Sequence, residues 1–270
     1  MRRRLAARAG LPLLLAACGT LDAPPAEATL LATGAAAELD RATQRALDLV
    51  AAAPDDAAVL VAASRCLFQA ADFRLQQATT DWLAAHPAAT RAEVVAADDQ
   101  IAEAVRIGIA SLCTRGLELA DRAAAKAPGD VHAKLHQALH VSLLAFANGP
   151  ARALFAGYGP KLVAAIDAAV ALDPTVEGAA PLRLSGRFRG KAPWPYGDLA
   201  AAETALARAV ELAPVVVNHL FLGDVLLRRG RNGEAEAHWR AAAAAADDPS
   251  AQWSGALLRA QARARLAARP

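Results

Sequence analysis

The sequence predicts an all-α protein built as a stack of helix pairs, and three features of its 270 residues predict it. The apolar share is 55 %, yet aromatic residues make up only 4 %, with alanine supplying much of the difference. Alanine is the best helix former and lets helix backbones approach closely. Next, four Ala-rich stretches stop at a proline: Leu49-Val50-Ala51-Ala52-Ala53-Pro54, Ala123-Ala124-Ala125-Lys126-Ala127-Pro128, Val170-Ala171-Leu172-Asp173-Pro174 and Val210-Glu211-Leu212-Ala213-Pro214. Proline has no N–H and clashes with the preceding turn, so it ends helices. Finally, Ala202, Leu206 and Ala209 recur 33 residues on as Ala235, Trp239 and Ala242. Recurrence at such a period is the mark of repeat architecture. The length is enough for a substantial core, and glycine and proline are too few for a disordered chain.

The first residues are expected to lie outside that fold. Arg2, Arg3 and Arg4 precede a short apolar run, Leu11 to Ala17, centred on Leu13, Leu14 and Leu15 and preceded by Arg8. It is shorter than the roughly 20 residues that span a bilayer and fits a secretory leader. Leu15-Ala16-Ala17-Cys18 resembles the bacterial lipobox, in which small residues precede a cysteine whose thiol accepts diacylglycerol. The alternative is a plain leader cut nearby. The paired arginines also raise a twin-arginine export route, which their neighbours match poorly. Residues 1–17 are thus expected to be a lipoprotein signal peptide. Residues 18–34 are expected to be a lipidated Cys18 and a flexible tether containing Pro24 and Pro25. Residues 35–270 are expected to be the repeat domain. Loss of the four leader arginines takes the formal charge from +2 to −2. No later segment is densely basic or long and apolar, so nucleic-acid binding has no electrostatic basis and no membrane span is expected. Cys66 and Cys113 both fall in expected helices. An oxidising compartment permits a bridge between them, but two buried thiols are the expected state.

Periodicity and stop signals place helices at 35–53, 56–77, 91–127 (one long or broken helix), 130–147, 160–172, 198–212, 216–229, 233–246 and 250–267. A further stretch at about 75–92 carries Trp82 and His86-Pro87. The last helix alternates Trp253, Leu257, Leu258 and Leu266 with Arg259, Arg263, Arg265 and Arg269. That amphipathic pattern suits a capping helix.

The best-defined unit runs Asn218-His219-Leu220-Phe221-Leu222-Gly223-Asp224-Val225-Leu226-Leu227, then Gly230-Arg231-Asn232-Gly233, then Ala235, Trp239 and Ala242. This resembles the tetratricopeptide repeat: Leu-Gly early in the first helix, a glycine turn, then Ala, a large residue and Ala. Small residues sit where the helices cross, and the large one fills the adjoining hole. One pair cannot bury its apolar face alone, so pairs must stack. The predicted fold class is therefore all-α, a tetratricopeptide-like helix-pair superhelix, or α-solenoid, with degenerate earlier units. Leu222 and Leu226 are expected in the core. First helices usually line the binding face of such stacks, which nominates Asn218, His219, Phe221 and Asp224.

A second stretch goes further. Glu177-Gly178-Ala179-Ala180-Pro181-Leu182-Arg183-Leu184-Ser185-Gly186-Arg187 is followed by Lys191-Ala192-Pro193-Trp194-Pro195-Tyr196-Gly197-Asp198, and then by the Ala202 helix. Together with the lipobox and the order of units, this resembles periplasmic tetratricopeptide lipoproteins of the type of the T component of TRAP transporters. The resemblance covers residues 160–246, and residues 35–130 only in outline. It implies helical repeats around a ligand-accessible channel and association with a periplasmic solute-binding subunit. Read from the residues alone, Asp198 is a helix N-cap, and Trp194 and Tyr196 either pack across the junction between pairs or meet a ligand. Arg183 and Arg187, four apart, are either exposed cations or a clamp for a carboxylate.

Other chemistry is weaker. His132, His136 and His140 share a helix face. They span about 12 Å, too far for one ion, and no glutamate lies between them in a zincin arrangement. They are expected to be a polar stripe facing a groove, or surface histidines. Asp56 reads as a helix start and Asp98-Asp99 as a solvated face. There is no Gly-x-Ser-x-Gly elbow and no phosphate loop. No catalytic residue, metal site or cofactor is expected.

The expected function is a non-catalytic periplasmic lipoprotein scaffold that binds a protein partner, a TRAP-type solute-binding subunit, with room for a small apolar ligand. The alternatives are a lipoprotein assisting outer-membrane or cell-wall assembly and, more remotely, a hydrolase with dispersed catalytic residues. Gly19 follows Cys18 where aspartate would favour inner-membrane retention, so the periplasmic face of the outer membrane is the expected location.

Overall fold

The structure is a computed structural model that describes residues 28–245 and 253–269. The leader and Cys18 lie outside the described residues. Those described form eleven α-helices and no strand: α1 (Ala28–Ala52), α2 (Ala57–Ala85), α3 (Arg91–Val95), a 3-10 turn (Ala97–Gln100), α4 (Glu103–Lys126), α5 (Val131–Phe155), α6 (Tyr158–Leu172), α7 (Val176–Lys191), α8 (Leu199–Leu212), α9 (Val216–Arg228), α10 (Asn232–Ala244) and α11 (Gly255–Ala267). The pairs α5/α6, α7/α8 and α9/α10 pack as hairpins. Among the described residues, no helix is long and apolar enough to cross a membrane.

The proline signals fall where expected: α1, α4, α6 and α8 each end two residues before Pro54, Pro128, Pro174 and Pro214. Asp56 caps α2, its Oδ1 accepting from the Ala58 and Val59 amides. α7 is absent from the helices that periodicity and stop signals place, the helix expected at 130–147 runs on to Phe155 across a non-helical Gly149, and other boundaries differ as well. The first helix begins at Ala28 rather than 35. The second runs on to Ala85, taking up much of the stretch at 75–92. The long helix at 91–127 is broken into α3, the 3-10 turn and α4. α3 itself opens on a capping box: the Thr90 amide donates to Glu93 Oε2 at 2.7 Å and the Glu93 amide to Thr90 Oγ1 at 3.4 Å. The break follows Val95 and closes where Ile101 turns extended and Arg106 donates to the Asp99 and Ile101 carbonyls.

The chain divides into two compact units, Met1–Phe73 with Ile107–Leu172 and Arg74–Arg106 with Asp173–Pro270. The first unit has an alanine-rich core of Ala42, Ala46, Val59, Leu60, Ala63, Leu119 and Ala123. Inside it lies a polar pocket of side chains. His136 and His140 are fully buried, which corrects the expectation of a groove-facing or surface stripe. Their burial depends on Gly116 of α4, where a Cβ would lie 2.1 Å from His140 Cε1. The His140 ring occupies the notch that glycine leaves. Its Nε2 lies 3.1 Å from the Ser64 carbonyl, an acceptor only, so Nε2 carries the proton and donates. Ser64 Oγ in turn donates to the Gly116 carbonyl.

Burial, then the neighbouring His136, pushes His140 down to about 3 against the opposing bond to Ser64. An unfolded His140 titrates near 6.5, so between pH 6.5 and about 3 the unfolded chain binds one proton more. Stability from this group is present above pH 6.5 and is lost as pH falls, by about 1.4 kcal/mol per pH unit. Urea midpoints from pH 7 to pH 5 should show this slope in the wild type. The slope should be smaller by one proton in His140→Gln; equal slopes would mean that the folded imidazole titrates normally.

Cys113 is a buried free thiol, raised by burial and then by Asp72, so it is not bridged to Cys66. Cys66 is buried as well. The expected burial holds at both cysteines, and the expected free thiol is seen at Cys113.

In the second unit the small–large–small signature is realised in full. Ala202, Leu206 and Ala209 of α8 and Ala235, Trp239 and Ala242 of α10 are all completely buried, and Leu222 and Leu226 are in the core. Gly223 lets α9 and α10 meet, since a Cβ there would lie 2.4 Å from Trp239 Nε1. Gly230, at φ 75°, makes the turn between them.

Candidate binding site

The site is assembled on α7 and α9, the first helices of two consecutive pairs. α7 opens in an unusual way. Glu177 (φ 50°, ψ 51°), Gly178 (φ 66°, ψ 41°) and Ala179 (φ 60°, ψ 35°) form a left-handed turn before the right-handed helix starts. Two of the three carry a Cβ, which makes this conformation cost about 1–2 kcal/mol per residue. Side chains hold it in place. Arg183 Nη1 donates to the Gly178 carbonyl at 2.9 Å and to Asn218 Oδ1 at 3.0 Å. Asn218 Nδ2 donates to the carbonyls of Gly178, Ala209 and Ala213. Pro181 follows the turn, at the start of the right-handed helix, where a missing N–H is tolerated. Arg183 and Asn218, nominated as ligand contacts, are thus engaged by the protein itself. Asn218 is fully buried rather than on a groove wall.

One turn along, Arg187 and Asp224 meet in an ion network. Asp224 is 2 % exposed and Arg265 of α11 is 3 % exposed. Arg265 Nε donates to Asp224 Oδ1 at 2.6 Å and Nη2 to Oδ2 at 3.0 Å, and Trp239 Nε1 donates to Oδ1 at 3.2 Å. Arg187 Nη1 reaches Asp224 Oδ2 at 3.3 Å and its Nη2 reaches Asp98 Oδ2 at 2.8 Å. Lys191 Nζ bonds Asp98 Oδ1 at 2.7 Å and Asp99 Oδ1 at 2.9 Å. The Arg187 guanidinium also lies over the half-buried Phe221 ring, 4.4 Å from its centroid. Burial by itself would raise the Asp98 carboxyl. Arg187 and Lys191 outweigh it and hold Asp98 at about 2. Burial would lower Arg187, and Asp98 and Asp224 raise it instead.

Two expectations are corrected here. Asp98 belongs to a buried ion network rather than a solvated face; only Asp99 is half exposed. Arg265 is a core cation and not part of the outer face of the capping helix. Arg187 does clamp carboxylates, but they are the protein's own.

The segment carrying Asp98 is seated along its length. The Arg91 amide donates to the Arg269 carbonyl at 2.8 Å, Arg91 pairs with Glu236 at 3.0 Å, and Val94 and Ala97 pack with Leu83 and Ala268. Val95 joins the core around Trp239.

The other candidates are separate from this network. His219 Nδ1 lies 3.0 Å from His238 Nδ1. His219 is lowered by burial and then by His238; His238 is lowered chiefly by burial. Trp194 does not pack across a junction, being 90 % exposed, whereas Tyr196 rests on Phe188, ring centroids 5.7 Å apart. Gly197 is needed because a Cβ would lie 2.2 Å from the Ala192 carbonyl. Asp198 caps α8 as expected, Oδ1 accepting from the Ala200 and Ala201 amides at 2.9 and 3.0 Å. Asp198→Ala should lower Tm by about 2–4 °C in a thermal melt, and Asp198→Asn by less. Among the described residues no group of three or more His, Cys, Asp or Glu is placed to hold a metal ion.

Sequence reasoning missed Asp98, Lys191 and Arg265 as parts of one site. The spacing of Arg183, Arg187 and Lys191 at every fourth position was the available signal, because it puts three cations on one stripe of α7.

No protein-family model matches the chain, and no curated protein matches it in sequence. Among solved structures, it is similar to the crystal structure of a thermophilic TPR protein from Thermus thermophilus. The TM-score is 0.53 at 17 % identity, over 82 % of this chain and 92 % of that one. Likeness at that identity bears on fold alone, and it agrees with the helix pairs and their small–large–small crossings: the fold is all-α and tetratricopeptide-like, of the α-solenoid class.

Proposed function

We propose that this chain is a non-catalytic scaffold lipoprotein that binds a protein partner at the periplasmic face of the outer membrane. The observation that carries the reading is the stretch Leu15-Ala16-Ala17-Cys18, which resembles a lipobox, ahead of tetratricopeptide-like helix pairs. Such pairs offer extended surfaces suited to gripping other proteins. The finer reading is a component associated with a TRAP-type transporter, its partner a periplasmic solute-binding subunit, with a small apolar ligand taken into a channel. The resemblance of residues 177–198 and the following pair supports it.

Two measurements test the proposal. Mass spectrometry of the mature protein should find an N-terminus at Cys18 carrying diacylglycerol. An unmodified Cys18, or one held in a disulfide, would overturn the anchor. Crosslinking in intact cells followed by purification should capture a periplasmic protein, and the identity of a solute-binding subunit would support the transporter reading. Capture of nothing would overturn the scaffold.

A further inference from the structure

We propose that the Ala97–Gln100 turn is a ligand bound in cis, and that the α7 stripe it fills is a binding site for a partner segment bearing two adjacent carboxylates. The inference rests on the reading of the chain as a partner-binding scaffold and names the chemistry of that partner.

The position comes first. α7 and α9 are the first helices of successive pairs, and first helices line the face through which repeat scaffolds bind. Here that face is covered by a segment that belongs to no pair. Thr90 to Ile101 is a capped single turn, a 3-10 turn and an extended exit, and it comes from 89 residues before the Arg187 that it meets.

Charge comes second. Without the segment, the network would set Arg187, Lys191 and Arg265 against Asp224, three cations against one carboxylate. The excess of two is met by Asp98 and Asp99. The bonds are graded from inside to outside: Asp98 is 14 % exposed and held by both Arg187 and Lys191, whereas Asp99 is 49 % exposed and held by Lys191, itself 30 % exposed. The outer end of the site is therefore open to solvent, and a competing dicarboxylate segment can engage Lys191 first and then follow the stripe inward. Val94 and Val95 show what precedes the acidic pair in a fitting ligand, an apolar β-branched pair that seats against α10 and α11.

The test uses the full-length chain in detergent and a fluorescent synthetic peptide with the sequence of residues 93–100. An occupied site binds a competitor with an affinity reduced by the fraction of time it stands open. The double variant Asp98→Asn/Asp99→Asn, which weakens the internal occupant, should bind the peptide at least about tenfold more tightly than wild type in anisotropy titrations. A peptide with both aspartates changed to asparagine should bind neither protein. Equal binding by the two proteins, or binding by neither, overturns the proposal. If the variant does not fold, hydrogen–deuterium exchange on the wild type decides. Excess peptide should speed exchange of amides 91–100 and leave α7 protected; unchanged rates overturn the proposal. The two readings fail separately. A partner captured equally by both proteins, with no effect of the peptide, refutes the cis-ligand inference alone. Peptide binding without any captured partner refutes the scaffold alone.

Discussion

Asp224→Ala should destabilise the protein by about 3–5 kcal/mol in urea unfolding, the cost of leaving a buried cation without its counter-charge. Arg265 is the cation in question. At 3 % exposure it cannot reach water, and both of its bonds to a carboxylate end on Asp224. The Trp239 indole N–H and one arm of Arg187 lose the same acceptor. The expectation for the pair taken together is different. Burying two charges costs desolvation on both, so exchanging the pair for apolar side chains of similar volume is often neutral or better. Asp224→Leu with Arg265→Met should therefore recover most of the loss. If the double variant is as unstable as Asp224→Ala, packing rather than charge governs this corner of the fold.

Trp239→Ala should cost a similar amount, about 3–5 kcal/mol, by removing a large side chain from a close-packed core. Trp239 is completely buried. It fills the space opened by Gly223, and the Arg91 guanidinium lies 5.9 Å from its ring centroid. Trp239→Phe separates volume from the hydrogen bond, because it keeps most of the ring and removes Nε1–H. A double-mutant cycle of Trp239→Phe with Asp224→Ala, which removes the acceptor, should show coupling of about 0.5–3 kcal/mol. Strict additivity would place the 3.2 Å contact among those that contribute nothing.

The sequence disclosed what is local. Prolines two residues beyond α1, α4, α6 and α8, the Asp56 and Asp198 caps, and the recurrence of Ala202, Leu206 and Ala209 are signals written within a few residues of the structure they cause. The start of α3 was written there too, since Thr90 and Glu93 have capping-box spacing, whereas the break after Val95 was masked by an Ala-rich continuation. What stayed hidden depends on partners far along the chain. Asp98 looks like half of an exposed acidic pair until Arg187 and Lys191 are brought to it. Arg265 looks like one of several surface arginines until Asp224 lies beside it. His140 looks amphipathic until Gly116 supplies the notch that buries it. The left-handed turn at Glu177–Ala179 carries one glycine, and its conformation is imposed by Arg183 and by Asn218, which lies 40 residues beyond Gly178.

The α7 stripe holds carboxylates from a distant segment, and the ionisation of Asp98 reports on that contact directly. Its side-chain carboxyl can be followed by 13C NMR as the pH is lowered. With Arg187 and Lys191 in place, Asp98 should remain largely ionised down to about pH 3 and titrate at about 2. A midpoint near 3.9, the value of an unperturbed aspartate, would mean that the segment does not lie on α7.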